Sequence, residues 1–124
     1  MAFQIPGFSF SREASGDLSA AQHHCVDIDG NGQVAVVSGS GDDVAAILQN
    51  DPSAQGNEAA LMNTGISKVV AGAAVAVGAL VMSSAAGRAI TATSGQVVFG
   101  RALEAAGGDG ETIPVLLGEH QILP

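Results

Sequence analysis

The sequence predicts a mainly β fold, a small sandwich or barrel-like domain of short hairpins behind an extended N-terminal arm, with at most short helical turns. Three observations carry this. Short apolar runs recur at close spacing between Gly-rich turns. No long amphipathic helical pattern interrupts them. The order of elements also repeats. Residues 24–28, the Asp29-Gly30-Asn31-Gly32 turn, 33–37 and 44–48 read like 79–82, the 83–87 turn, 88–92 and 97–103. At one constant offset Val26 aligns with Val81, Gly32 with Gly87, Leu48 with Leu103 and Leu61 with Leu116.

The elements follow in order. Residues 1–15 form an arm and residues 16–124 a single β-rich domain. Three of the four Phe (Phe3, Phe8 and Phe10) fall in the arm, with Ile5, Pro6 and Gly7 between them. Pro6 and Gly7 break regular structure. Phe8-Ser9-Phe10-Ser11 alternates with the period of an extended chain. Two roles fit the arm. It closes the domain's own core with the largest apolar groups available, or it lies on a neighbouring subunit or partner with Phe3, Ile5, Phe8 and Phe10 as anchors. Asp17 to Gln22 reads as a short helical turn capped by Asp17. Strands follow near 24–28, 33–38, 44–49, 58–63, 66–71, 79–83, 88–93, 96–103 and 111–117. Asn50-Asp51-Pro52-Ser53 and Gly107-Gly108-Asp109-Gly110 are turn signals. Residues 54–62 carry a partial helical signal, weakened by Gly56. In residues 69–82, Gly72 and Gly78 interrupt the Ala run and Val75 and Val77 alternate with Ala76, which predicts a tight apolar turn leading into a strand near Leu80.

Composition excludes several function classes. At 124 residues the chain is one domain plus an arm. It has no Trp or Tyr, so its core is built of small side chains and gains from oligomerisation or docking. The net charge is -8 with four basic residues, Arg12, Lys68, Arg88 and Arg101. That argues against nucleic acid, which requires clustered cations, and against anionic membrane surfaces. An acidic surface suits an outward-facing protein that must not stick to itself. The first seven residues have no basic region or long apolar stretch, so they do not read as a signal peptide. The apolar run 69–82 is shorter than the roughly 18–20 residues of a membrane span. The single Cys25 excludes an intrachain disulfide and reads as a buried free thiol.

Motifs for chemistry are sparse. Asp27, Asp29 and Asn31 with Gly32 follow the opening order of an EF-hand loop. The bidentate Glu that Ca²⁺ needs at the loop's end is replaced by Ser38, and no helix precedes it. The simpler reading is an Asn-Gly hairpin turn in which Asn31 and Gly32 tolerate φ > 0. A weak Ca²⁺ site on Asp27, Asp29 and Asn31 is the alternative. It would make the chain a secreted acidic calcium-binding or adhesive β module. His23 and Cys25 share a strand face with His24 on the other, and two ligands make no zinc site. No nucleophile elbow, Walker loop or dinucleotide fingerprint occurs. Carboxylates at Asp42, Asp43, Asp109 and Glu111 lie in turns and read as solvated surface. Lys68 sits mid-strand, unlike the hairpin-tip lysine of a biotinyl or lipoyl carrier. No cofactor and no catalytic residue is expected.

The stretch from Leu18 to Leu117 resembles the capsid cement, or head decoration, proteins of tailed bacteriophages. The segments that carry the likeness are Asp17–Gln22 with its following strand, Asp29-Gly30-Asn31-Gly32-Gln33-Val34 and Ala46-Ile47-Leu48-Gln49-Asn50-Asp51-Pro52. Gly65-Ile66-Ser67-Lys68-Val69-Val70-Ala71-Gly72, Val75–Val81 and Gly87-Arg88-Ala89-Ile90-Thr91-Ala92 continue it. Gly100–Ala105 leading to Ile113-Pro114-Val115-Leu116-Leu117 completes it. The resemblance implies a small β domain, β-tulip-like among the options, on the outer surface of the virion after synthesis in the host cytoplasm. It implies a non-enzymatic protein whose partner is the major capsid protein. Such proteins form homo-oligomers, often trimers, and clamp neighbouring capsid subunits. An anchoring arm is typical of lambda-like decoration proteins; the choice of Phe3, Ile5, Phe8 and Phe10 as anchors rests on composition.

Overall fold

The computed structural model describes residues 4–122 and is all β, with eleven strands in two antiparallel sheets and no helix among the described residues. The strands are β1 (Ile5–Pro6), β2 (Ser9–Glu13), β3 (Cys25–Ile28), β4 (Val34–Val36), β5 (Ala46–Leu48), β6 (Glu58–Met62), β7 (Gly65–Val70), β8 (Leu80–Ser83), β9 (Ala89–Thr91), β10 (Val97–Ala102) and β11 (Thr112–Ile122). All nine strand segments expected from the sequence are present. The sheets together make a small sandwich-like body.

The sequence repeat is a structural one. One sheet runs β2-β6-β5-β3-β4, and the other runs β7-β11-β10-β8-β9 with β1 added outside β7. The two orders are the same when each strand of the first half is matched to its counterpart in the second. Registers agree as well. Val26 pairs with Val36 and Ile28 with Val34; Val81 pairs with Thr91 and Ser83 with Ala89. In each half a parallel bridge, Ala14 to Val34 or Ala71 to Ala89, joins the two edges of the five-strand sheet. The sheet therefore curls over its own small core. Irregular segments repeat too. Leu18 N–H donates to Pro52 O at 2.8 Å, and Val75 N–H donates to Ala106 O at 3.0 Å. The constant offset holds through β4 and β9 and then slips by one residue. Leu48 and Leu61 thus correspond to Ala102 and Val115, not to Leu103 and Leu116.

Each hairpin tip is held by a side chain that caps its turn. The Asp29 carboxylate accepts from Asn31 N–H at 2.9 Å and Gln33 N–H at 3.0 Å. Ser84 Oγ accepts from Ala86 and Arg88 N–H, both at 3.2 Å. Only the glycine of each turn takes positive φ, 74° at both Gly32 and Gly87. The expected positive φ at Asn31 is not adopted. The loop has five residues instead of two, so a single left-handed residue after the turn is enough to re-enter the strand.

Two other expectations are corrected. Residues 17–22 form successive β-turns rather than a helical turn, with Asp17 Oδ1 accepting from Ser19 N–H at 2.9 Å and Ala21 N–H donating to Leu18 O at 3.0 Å. The amide a helix would need to continue, His23 N–H, donates instead to Leu48 O at 2.7 Å, so the turn does not propagate. Residues 54–62 are a turn followed by β6, because pairing with β2 and β5 outweighs local helical preference. The apolar stretch 71–79 is turn and bridge leading into β8 at Leu80, as expected.

One core cluster lies wholly in the first half: Ala14, Leu18, Ala21, Val26, Val34, Ala46, Leu48, Ala59 and Leu61. The other joins inner residues of the second half, such as Val81, Ala89, Ile113 and Val115, to Cys25, Ile47 and Met62 of the first. That shared cluster glues the halves together. Burying a side chain of Ile or Met size contributes about 1.5–3 kcal/mol, so the joint is substantial.

Candidate functional site

The N-terminal segment lies along the body of its own chain. Ile5 pairs with Ile66 and Pro6 with Gly65 on one sheet, while residues 9–13 pair with β6 on the other. Phe8 bridges the two, its N–H donating to Thr64 Oγ1 at 2.6 Å. Its ring stays 61% exposed and Ile5 is 55% exposed. Phe10 is partly buried against the first-half core, with its ring centroid 5.7 Å from that of Phe8 at a 31° tilt. Phe8 and Phe10 therefore lie side by side, while Ile5 sits on the edge of the other sheet. Phe3 lies outside the described residues.

The acidic turn has a local role. Asp29 spends its Oδ1 on the turn amides, and Asp27 Oδ1 accepts from Ile28 N–H at 2.9 Å. Asp27, Asp29, Asp42 and Asp43 line a shallow surface hollow with Val36 and Val37. Among the described residues no group of three or more His, Cys, Asp or Glu is placed to hold a metal ion.

Cys25 is fully buried and unpaired by disulfide. Burial pushes its thiol up to about 12, against a smaller opposing pull from the Ser83 hydrogen bond. Such a thiol is inert. His23 has φ 64°, where its second-half counterpart is Gly78 with φ 81°. Burial, then Lys68, then His24 lower the pKa of His23. His24 Nε2 accepts from Arg88 Nε at 3.3 Å across the joint between the halves. Arg88 also reaches Asp109 at 2.7 Å. Of these side-chain contacts, only the His24–Arg88 hydrogen bond crosses between the halves; the Arg88–Asp109 pair lies within the second. Lys68 sits opposite Pro114 in mid-strand, away from any hairpin tip.

Sequence reading missed a row of partly exposed side chains across the second sheet. Direct cross-strand partners share a sheet face. Ile5, Ile66, Leu116, Arg101 and Leu80 are successive partners, so they form one row across five strands. Ile5 is exposed and the other four are half-buried. The only sequence signal was the alternation within β7 and β11, which cannot reveal how these strands line up side by side.

The model of the phage cement protein family matches residues 14–117, a span containing both halves of the duplicated body apart from the N-terminal segment. No curated protein matches the chain significantly. Among solved structures, the head fiber gp8.5 N base of bacteriophage phi29 is similar, with a TM-score of 0.68 over 94% of this chain and 98% of that one at 16% identity. That likeness shows a shared fold.

Proposed function

The chain belongs to the phage cement protein family, and on that premise we propose that it binds the outer surface of the mature capsid and stabilises the shell by bridging neighbouring major capsid protein subunits. A phage structural role, with no enzymatic centre required, follows from the family. The observation that carries the finer reading is the family match across residues 14–117, which takes in both halves of the body. The head-fiber base of phi29, a structure named for its place on a phage head, supports the same location. The physical features agree. Eight more acidic than basic residues keep a protein present at high local copy number from self-adhesion. A small-residue core gains from docking to a larger body. A homo-oligomer, a trimer in this reading, engages several capsid sites at once and needs only modest affinity at each.

In this proposal Ile5, Phe8 and Phe10, together with Phe3, are the capsid- or neighbour-facing anchors. Exposed aromatic and aliphatic groups supply most of the binding energy at such contacts. The experiment is co-sedimentation of purified protein with DNA-filled, expanded heads and with unexpanded heads. Binding to the first and not the second, with raised resistance of the bound heads to heat, is the expected result. Equal binding to both, or no binding to either, refutes the reading. Phe8→Ser is expected to weaken binding at least tenfold while leaving the melting temperature within about 3 °C, because the ring is mostly exposed.

A further inference from the structure

The two hairpin tips share a backbone and differ in chemistry. In the second half the residue before the positive-φ glycine is Ala86, which has no reactive group. Gly87 after it is buried, with Val36 Cγ1 and Cys25 O against the position a Cβ would take. In the first half the same place is taken by Asn31, which is exposed, and the equivalent position at Gly32 meets only the Arg12 guanidinium. Asn31 is the only Asn in the chain that is followed by Gly; Asn50, Asn57 and Asn63 precede Asp51, Glu58 and Thr64.

This order matters because an Asn side chain can react with the backbone nitrogen of the next residue. A side chain on that residue obstructs the approach, and glycine has none. The four Asn are not held alike. Asn50 is pinned at both ends of its amide, Nδ2 donating to Glu58 O and Oδ1 accepting from Ala60 N–H, each at 2.9 Å. Asn63 Oδ1 is buried. Asn57 is exposed, but Glu58 follows it. At Asn31 the backbone N–H is held by Asp29 Oδ1 at 2.9 Å, and among the described residues no hydrogen bond holds the side-chain amide. Gly32 N–H donates to Asp29 O at 3.0 Å, a bond that must be given up during attack. An exposed tip with few packed neighbours opens at low cost.

We propose that Asn31 is a site of spontaneous deamidation, with the Gly32 backbone nitrogen as nucleophile and solvent water as co-reactant. The nitrogen gives its proton to solvent base and bonds to Asn31 Cγ. The Cγ–Nδ2 bond breaks, and Nδ2 takes a proton from solvent and leaves as ammonia. The cyclic imide then adds one water. Breaking its bond from Gly32 N to Cγ gives aspartate. Breaking its bond from Gly32 N to the main-chain carbonyl carbon gives isoaspartate, in which the chain runs through Cγ. One water is consumed, one ammonia is released, and nothing is oxidised or reduced.

The isoaspartate product changes the structure. Arg12 Nε and Nη2 donate to Gly32 O at 3.2 and 3.0 Å, tying the β2 edge to the tip of the β3–β4 hairpin. An extra methylene in the main chain just before Gly32 moves that carbonyl and the Gln33 N–H that Asp29 Oδ1 holds at 3.0 Å. The tip is therefore unclipped from β2. The next contact along this edge, the bridge from Ala14 to Val34, is fully buried and keeps the sheet closed.

The test is ageing of the purified full chain at mildly alkaline pH, with peptide mapping by mass spectrometry, an ammonia assay and enzymatic detection of isoaspartate. Conversion of amide to acid is expected at Asn31 ahead of Asn50, Asn57 and Asn63. The bond from Gly32 N–H to Asp29 O is expected to slow it about 2- to 13-fold relative to the chain in denaturant, the worth of one net hydrogen bond. Asn31→Gln, whose longer side chain closes a ring poorly, is expected to release no ammonia from this site. In the isoaspartate fraction the Gln33 amide is expected to exchange with solvent faster than in fresh protein, whereas Asn31→Asp, which has the charge on a normal main chain, exchanges as fresh protein does. An Asn31 that stays intact in the folded chain, another Asn that reacts first, or ammonia release undiminished in Asn31→Gln overturns the site. Unchanged Gln33 exchange in the isoaspartate fraction overturns the unclipping.

Discussion

Gly32 and Gly87 offer a matched experiment inside one molecule. Both sit at the same place in equivalent hairpins, and both have φ 74°. Replacing either with Ala imposes the left-handed penalty of an L residue, roughly 1–2 kcal/mol, offset by about 0.4–1 kcal/mol from a less flexible unfolded chain. For Gly32→Ala the further loss is small and lies at the surface. The new methyl would lie 2.7 Å from Arg12 Nη2, which donates to Gly32 O at 3.0 Å alongside Nε at 3.2 Å; this exposed side chain can swing aside, at a cost of about 0.5–1 kcal/mol in solvated hydrogen bonds. For Gly87→Ala the methyl would lie 2.6 Å from Val36 Cγ1 and 2.9 Å from Cys25 O. Cys25 O is backbone, fixed by the bond from Cys25 N–H to Gly87 O, and Val36 is packed against the first-half core. Overpacking of this kind costs about 1–3 kcal/mol, and weakening that hydrogen bond adds about 0.5–1.5 kcal/mol. Gly87→Ala is therefore expected to lose about 1–3 kcal/mol more than Gly32→Ala. Urea unfolding with unchanged slope, at concentrations where the chain is monomeric, measures the difference. Two variants within about 0.5 kcal/mol of each other would refute the burial of the Gly87 turn against the first half.

Two titrations test the joint between the halves. Cys25 is raised to about 12 from 9.0. Its stabilising contribution is thus full below pH 9 and is lost as pH climbs towards 12, at up to about 1.4 kcal/mol per pH unit; a Cys25→Ala variant whose stability falls just as steeply contradicts this, as does a thiol that reacts with a disulfide reagent faster than the chain unfolds. His23 is shifted the other way, below 6.5, chiefly by burial. Stability is therefore expected to drop as pH falls below 6.5, and His23→Asn, which tolerates the same backbone, should flatten that part of the curve; an unchanged midpoint between pH 7 and pH 5 in the wild type would count against it.

Much of the body was readable from local chemistry. Strands β3 to β10 lie where apolar runs alternate between Gly-rich turns, and the four aligned positions of the repeat were enough to suggest two like halves. The alignment slipped after β4 because the first half carries one extra residue, Ser38, between Val37 and Gly39. Leu48 and Leu61 were then matched to neighbouring leucines rather than to Ala102 and Val115. The end of β11 was missed because Gly118, Glu119, His120 and Gln121 look like a polar tail; only pairing of Val97 with Ile122 and Val98 with Gln121 makes it a strand. The helical signals at 17–22 and 54–62 failed where tertiary hydrogen bonds, His23 N–H to Leu48 O and residues 58–62 to β2, took the backbone groups a helix needs. The row across the second sheet was out of reach for a different reason. Ile47 and Arg101 occupy equivalent places, and nothing local says that one is buried and the other half-buried.

Strand β1 is two residues long, yet it finishes a border. Along β7 it lies outside Gly65 and Ile66, and its Pro6 lacks an N–H with which a further strand could pair. Among the described residues the matching border, β2, has no such strip and carries the charged Arg12 and Glu13, residue types that blunt an edge. Trimming the first seven residues would therefore strip the better-finished selvedge from the cloth. The shortened polypeptide would keep its weave but fray into edge-to-edge aggregates during handling.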